Sequence, residues 1–162
     1  MALMADPSSA LESFQLDLSS GHLPLQRGML EATLSVLLDF PSGRPRFIYL
    51  AIEDGRITAL AMLAMVDPVK GVPCFQLGVA VTDALRGQGR AKRIVRSALA
   101  ELKHGSAKNN VPRICVEAVV GTDNIPSQKV ASDCLSRDPI LITDQVSGLP
   151  ALHYTTRFEL GS

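Results

Sequence analysis

The sequence predicts an α/β (α+β) chain with a mixed, mostly antiparallel central sheet flanked by helices, and three observations predict it. Two apolar runs within residues 47–66 flank Asp54-Gly55, the pattern of a β-hairpin. Residues 74–121 read strand, then amphipathic helix, then buried strand, the order of a crossover. Residues 140–160 close the chain as two strand-like runs around Ser147-Gly148. The 162 residues suit one domain, 1–162, and show no repeat, low-complexity segment or linker. With 46% apolar and 20% charged residues, a chain of this length buries a core without disulfides or a structural metal.

The elements follow in order. Residues 1–12, rich in Ser, Ala and Pro, read as a loose terminus. Leu30, Leu34, Leu37 and Leu38 recur at helical spacing, which predicts a helix ending near Phe40 and Pro41. Residues 47–52 and 57–66 form the hairpin strands, and "CFQLGVAV" a third strand. Residues 89–104 form a helix whose apolar face is Ile94, Val95, Ala98, Leu99 and Leu102, with Gly105 as its C-cap. "RICVEAVV" is a buried strand, and residues 127–135 a short helix after Pro126. Cys74, Cys115 and Cys134 are odd in number and scattered, which fits reduced, buried thiols and a cytoplasmic protein. His22, His104 and His153 stand isolated.

Net charge is zero, yet the cations are concentrated. Arg86, Arg90, Lys92, Arg93, Arg96, Lys103, Lys108 and Arg113 share one window with Glu101 as its only acid. That asymmetry points to an anionic partner at one place. Nucleic acid is disfavoured: the helix start is glycine-rich, and aromatics, at 4%, supply no stacking platform. No apolar run approaches the roughly 20 residues that span a bilayer, so no membrane partner is expected.

The densest part of that window, "RGQGRAKR", lies between a predicted strand and a predicted helix. The first turn of a helix has N–H groups without intrahelical partners, and the helix dipole adds partial positive charge there. Glycines let the backbone approach a ligand closely. Together they make a cradle for a phosphate or pyrophosphate. A dinucleotide-binding turn needs a third glycine where Lys92 stands, and a P-loop needs G-x-x-x-x-G-K-S/T; both fail on spacing.

The stretch "VTDALRGQGRA" resembles the acetyl-CoA-binding motif of the GNAT superfamily of N-acetyltransferases, Q/R-x-x-G-x-G/A, with Arg86, Gly89 and Ala91 at the three positions. "VGTDNIPSQKVA" is similar to that family's V-x-x-x-N-x-x-A/S segment, with Asn124 and Ser127 in place. The resemblance covers residues 77–135 by motif and roughly 47–159 by element order. It implies a fold in which the fourth and fifth strands splay and the pantetheine arm of acetyl-CoA lies between them. It implies main-chain contacts from Val79 and Val81 to pantetheine, a bulge near Gly78, and amides of Gly87, Gln88, Gly89, Arg90 and Ala91 on the pyrophosphate. Asn124 would bond the pantetheine arm, Ser127 and Lys129 would lie near the cofactor, and Arg90, Lys92 or Arg93 would reach the 3′-phosphate.

The implied reaction is direct attack of a neutral amine on the thioester, with a backbone N–H of the fourth strand facing the oxyanion. The sequence departs from the family where a tyrosine often protonates the departing thiolate: Ala131 stands there, with Cys134, Ser127 or a water as substitute. Where some members carry a glutamate on the fourth strand, this chain has Phe75. Glu117 is the best remaining carboxylate for the base, a structural strand residue being the competing reading. Asn124 and Ser127 have a competing reading as helix caps. The acceptor expected is a small-molecule or peptide amine. A homodimer through the hairpin or the closing strands is compatible with the pattern. The reading from another class is a module of the same fold that binds acyl-CoA without turnover.

Overall fold

The computed structural model describes residues 6–161. Its centre is an eight-stranded sheet in the order β1-β2-β3-β4-β5-β6-β8-β7. Every neighbouring pair is antiparallel except β5 and β6. The strands are β1 Gln26–Arg27, β2 Leu34–Asp39, β3 Arg46–Glu53, β4 Arg56–Val69, β5 Val72–Val81, β6 Arg113–Gly121, β7 Ile140–Thr143 and β8 Pro150–Glu159. The helices are α1 Pro7–Ser19, α2 Arg90–Lys108 and α3 Ile125–Cys134.

The N-terminal segment departs from expectation. Its first five residues lie outside the described ones, but from Pro7 the chain is helical. The local reasons are present in the sequence: Asp6 caps the helix by accepting from the Ser8 N–H at 3.3 Å, and Pro7 occupies the first turn. Ala10 and Phe14, one turn apart, are its buried face. Gln15 then docks the helix on the β3–β4 hairpin, accepting from the Ile57 N–H at 2.7 Å and donating to the Gly55 carbonyl at 3.2 Å.

The helix expected to end near Phe40 is instead β1, a loop and β2. Leu34 packs into the core beneath α2, whereas Leu37 packs into the second core beneath α1. A strand covered on both faces loses the alternation that betrays it, and a short apolar run of this kind reads equally well as helix. Pairing with β3, from Leu34↔Ala51 to Asp39↔Arg46, decides the matter. Replacing Leu34 with alanine is expected to cost about 2–5 kcal/mol in urea unfolding. The half-exposed Leu38, core in a helical reading, is expected to cost no more than about 0.5 kcal/mol.

The hairpin stands where the sequence placed it. Asp54 and Gly55 both have positive φ, 51° and 74°, the geometry of a two-residue turn that matches strand twist. A register shift beside Ala51 leaves Thr58 unpaired and sends Ile57 to the α1 face, while Ala59, Ala61 and Leu63 face α2. From Ile57 to Leu63 β4 is buried without a break, as the central strand of a sheet covered on both sides must be.

The predicted second helix runs further than expected. Gly105 is not its cap: α2 continues to Lys108 and is capped at Asn109. A Cβ at Gly105 would lie 3.1 Å from Met29 Cε, so the glycine makes room for the β1–β2 loop. Glu101 fixes the same loop. Its carboxylate, 4% exposed, accepts twice from the Leu30 N–H at 2.8 and 3.0 Å. Gly28 is required there, since a Cβ would lie 2.5 Å from the Glu31 carbonyl oxygen and 2.6 Å from Glu101 Oε1. Glu101→Ala is expected to lower stability by about 1–3 kcal/mol, the cost of freeing a partly buried donor, readable as a shift in the denaturation midpoint without a change in its slope.

Candidate active site

The glycine turn leaves β5 at Val81, passes through a 3-10 turn at Asp83–Leu85, and enters α2 at Arg90. Gly87 and Gly89 have φ of 78° and 76°, a region other residues enter only with strain. A Cβ at either would meet nothing within 4 Å, so these glycines are demanded by conformation and leave open space above them. Gly89 is the N-cap and offers no side-chain acceptor, and the first turn of α2 holds no acid. Among the described residues, the N–H groups of Arg90, Ala91 and Lys92 therefore face outward without an intrahelical or side-chain acceptor. Such a turn fits a diphosphate.

The cations around it are less free than the sequence suggests. Arg86 pairs with Asp83 at 2.9 Å, Arg90 with Glu53 of β3, Lys92 with Asp133 of α3, and Arg113 with Glu159 of β8. Most of these carboxylates lie far away in the chain, which is why the basic window looks uncompensated when read linearly. The Arg90 guanidinium holds the Glu53 carboxyl below the ordinary carboxylate range, and Lys92 does the same for Asp133. Arg93 borders a cleft of about 270 Å³ with Glu31, Glu53 and Ser97.

From this turn a gap leads back between β5 and β6. These parallel strands pair only at Cys74↔Cys115, Phe75↔Val116 and Gln76↔Glu117. Beyond that fork β5 runs on to Val81 and β6 to Gly121 without a ladder between them. The phase of β5 follows from its other edge: the Thr82 N–H bonds to the Thr58 carbonyl at 3.0 Å, in register with the β4 ladder. Alternation along the strand turns the N–H groups of Val79 and Val81 to the opposite edge, into the gap. The bulge expected at Gly78 is absent. The β4–β5 register is unbroken from Val81 to Cys74, with Gly78 opposite Met62, and its irregularity falls at Val66–Val69. The divergence of β6, not a distortion of β5, opens the gap.

Glu117 sits at the fork, as the last residue of β6 paired with β5. Its side chain is 21% exposed and lies on the face away from α2, since Val116 and Ala118 point into the α2 core. The sequence reading of His153 as isolated is corrected here: its Nε2 lies 2.8 Å from Glu117 Oε2, and Thr155 Oγ1 lies 3.4 Å from the same nitrogen. The signal was in the last strand, where β8 places His153 opposite Val119 and Thr155 opposite Glu117, but only the pairing reveals it.

The short helix begins two residues before its predicted start, at Ile125. Asn124 caps it, its Oδ1 accepting from the Ser127 N–H at 3.3 Å. Ser127 is partly exposed and Lys129 exposed on the first turns. Gln128, which the sequence reading passed over, ties α3 to the end of β6 by donating to the carbonyls of Gly121 and Thr122, both at 3.0 Å. Ala131, at the position expected for a tyrosine, is buried with Val130 in the α2 core. Burial pushes the Cys134 thiol up, so it carries its proton at neutral pH. Burial and the neighbouring Cys115 likewise push up Cys74. Ellman's reagent at pH 8 is expected to leave Cys74 and Cys115 unmodified in the folded protein and to reach all three thiols after denaturation.

Comparison with known proteins agrees with this geometry. The model of the acetyltransferase (GNAT) family matches residues 13–134. No curated protein sequence matches the chain significantly. Among solved structures, an acetyltransferase of the GNAT family from Streptococcus pneumoniae superposes with a TM-score of 0.54 at 12% identity, covering 96% of this chain and 98% of that one. A ribosomal-protein-alanine N-acetyltransferase from Brucella melitensis gives 0.52 at 17% identity, over 96% and 81%. A putative GnaT-family acetyltransferase from Bordetella pertussis gives 0.48 at 19% identity; the match covers 70% of this chain and 65%, just under two thirds, of that one. At such identities the likeness is one of fold. The family match, which spans residues 13–134, establishes that the chain belongs to the GNAT acetyltransferase family, whose acyl donor is acetyl-CoA.

Proposed function

We propose that the protein transfers the acetyl group of acetyl-CoA to a primary amine, on a small molecule or a peptide, by direct attack within a ternary complex. One observation carries the reading. An uncapped glycine turn opens into an unpaired stretch of two strands, and that stretch ends at a carboxylate. From Val81 to Gln76 the gap is about 17 Å long at ~3.3 Å per residue, a length an extended pantetheine arm spans.

The amides of Gly87, Gln88, Gly89, Arg90 and Ala91 hold the diphosphate, with Arg86 beside them. The N–H groups of Val79 and Val81 bind the pantetheine arm as an added strand would. Asn124 keeps its amide N–H₂ for the same arm while its oxygen caps α3, and Ser127 and Lys129 flank the cofactor. Bound acetyl-CoA supplies an activated carbonyl, at which a C–N bond forms as the C–S bond breaks. Glu117 takes the proton of the incoming ammonium and releases it to solvent, and the second proton, which the nitrogen sheds as the amide forms, passes through Cys134 or water to the thiolate.

Coenzyme A is expected to raise the melting temperature, and thiol release from acetyl-CoA to accelerate with a primary amine. Isothermal titration without heat from acetyl-CoA at millimolar concentration would refute the reading. The burial of Ala131 where a proton donor is expected favours a second reading, a binding module without turnover. Stabilisation by coenzyme A with no amine-dependent thiol release would select it.

A further inference from the structure

Glu117 lies on an inner strand, where an unpartnered carboxylate is costly. Among the described residues its side chain has no Lys or Arg partner; its one side-chain hydrogen bond is to His153. The contact is diagonal. Glu117 opposes Thr155 and His153 opposes Val119, so the two side chains lean toward each other across the ladder. Of the two carboxylate oxygens, Oε2 is taken by the imidazole and Oε1 is left. The imidazole reaches with its distal nitrogen, and Thr155 flanks that nitrogen from the same face.

We infer that His153 is a positioning residue for acetyl transfer: its Nε2–H donates to Glu117 Oε2, fixes the carboxylate rotamer at the fork, and leaves Oε1 facing the acceptor as the proton-accepting oxygen. The inference rests on the reading of Glu117 as base. In the step it serves, the ammonium proton passes to Oε1 and the freed lone pair forms the C–N bond. The C–S bond electrons leave with sulfur, which takes a proton from Cys134 or water; the second proton shed by the nitrogen as the amide forms replaces it, and Glu117 releases the first to solvent. His153 itself neither gains nor loses a proton.

The test exploits reach. The amide nitrogen of glutamine superposes on Nε2 of histidine, whereas that of asparagine superposes on Nδ1 and falls short of Glu117. Thiol release from acetyl-CoA is measured with 2-phenylethylamine as the probe amine, and with water alone where the amine gives no acceleration. His153→Asn is expected to lower kcat about 10- to 100-fold, the loss of one hydrogen bond to a charged group. The KM for acetyl-CoA and the melting shift with coenzyme A should not move. His153→Gln is expected to stay within about threefold of the unaltered protein, and Glu117→Gln/His153→Asn to be no slower than Glu117→Gln alone. Should His153→Asn turn over normally while Glu117→Gln is slow, or the two losses multiply in the double variant, the inference is overturned and the Glu117 reading stands. Normal turnover in Glu117→Gln removes both. His153→Leu, checked for folding by its thermal transition, must follow His153→Asn; equal loss in His153→Gln points to packing and also overturns the assignment.

Discussion

Replacing Gly89 with glutamate is expected to abolish binding of acetyl-CoA and of free coenzyme A in isothermal titration. Two effects combine. At φ 76° a side chain costs about 1–2 kcal/mol of backbone strain. The new carboxylate would also stand at the mouth of the α2 amides, where the proposed function puts the diphosphate. A negative charge there satisfies the helix terminus itself, so the protein should keep its fold while losing its ligand. Gly89→Ala separates the contributions: its Cβ meets nothing within 4 Å, so it carries the strain without the charge. Alanine is expected to weaken binding by about tenfold, on the scale of that strain, and glutamate to remove it. Equal, mild effects from both would mean that the turn does not hold the diphosphate.

The second large effect is on turnover. Glu117→Gln keeps the shape of the side chain and its hydrogen-bonding capacity toward His153 while removing the basic oxygen. General-base catalysis by a positioned carboxylate is worth about 10²- to 10⁴-fold, and a loss in that range is expected in kcat. Affinity for coenzyme A should be unchanged, because the diphosphate turn lies about five residues of strand away from the fork. A fall in affinity equal to the fall in kcat would instead identify Glu117 as a structural member of the β6–β8 ladder.

Much of this site is legible in the linear chain because its parts are local. Gly87 and Gly89 are needed by a strand-to-helix turn of a few residues, and the helix that follows carries its own apolar periodicity. Asn124 stands three residues before the backbone donor it caps. The Asp54-Gly55 hairpin is likewise written in the two residues whose positive φ it needs. These features depend on neighbours within one or two turns of chain, so residue type and spacing determine them.

Elements decided by distant partners were misread for equally physical reasons. Residues 34–39 alternate between two cores, and a strand with apolar neighbours on both faces shows no period of two. Gly105 suits a helix terminus by type, but α2 passes through it to Lys108, and Met29, from the β1–β2 loop, packs close to where its side chain would be. The basic window lost much of its apparent excess to Glu53, Asp133 and Glu159, none of them inside it. His153 offered no motif at all; only the β6–β8 register brings its ring to Glu117.

By itself, then, the sequence determined the family, the glycine turn and the order of the elements from residue 46 onward, since each rests on short-range backbone geometry. The β1–β2 edge, the pairing of charges around α2 and the partner of Glu117 were decided only by tertiary structure, because strand register and sheet order set which distant side chains share a face.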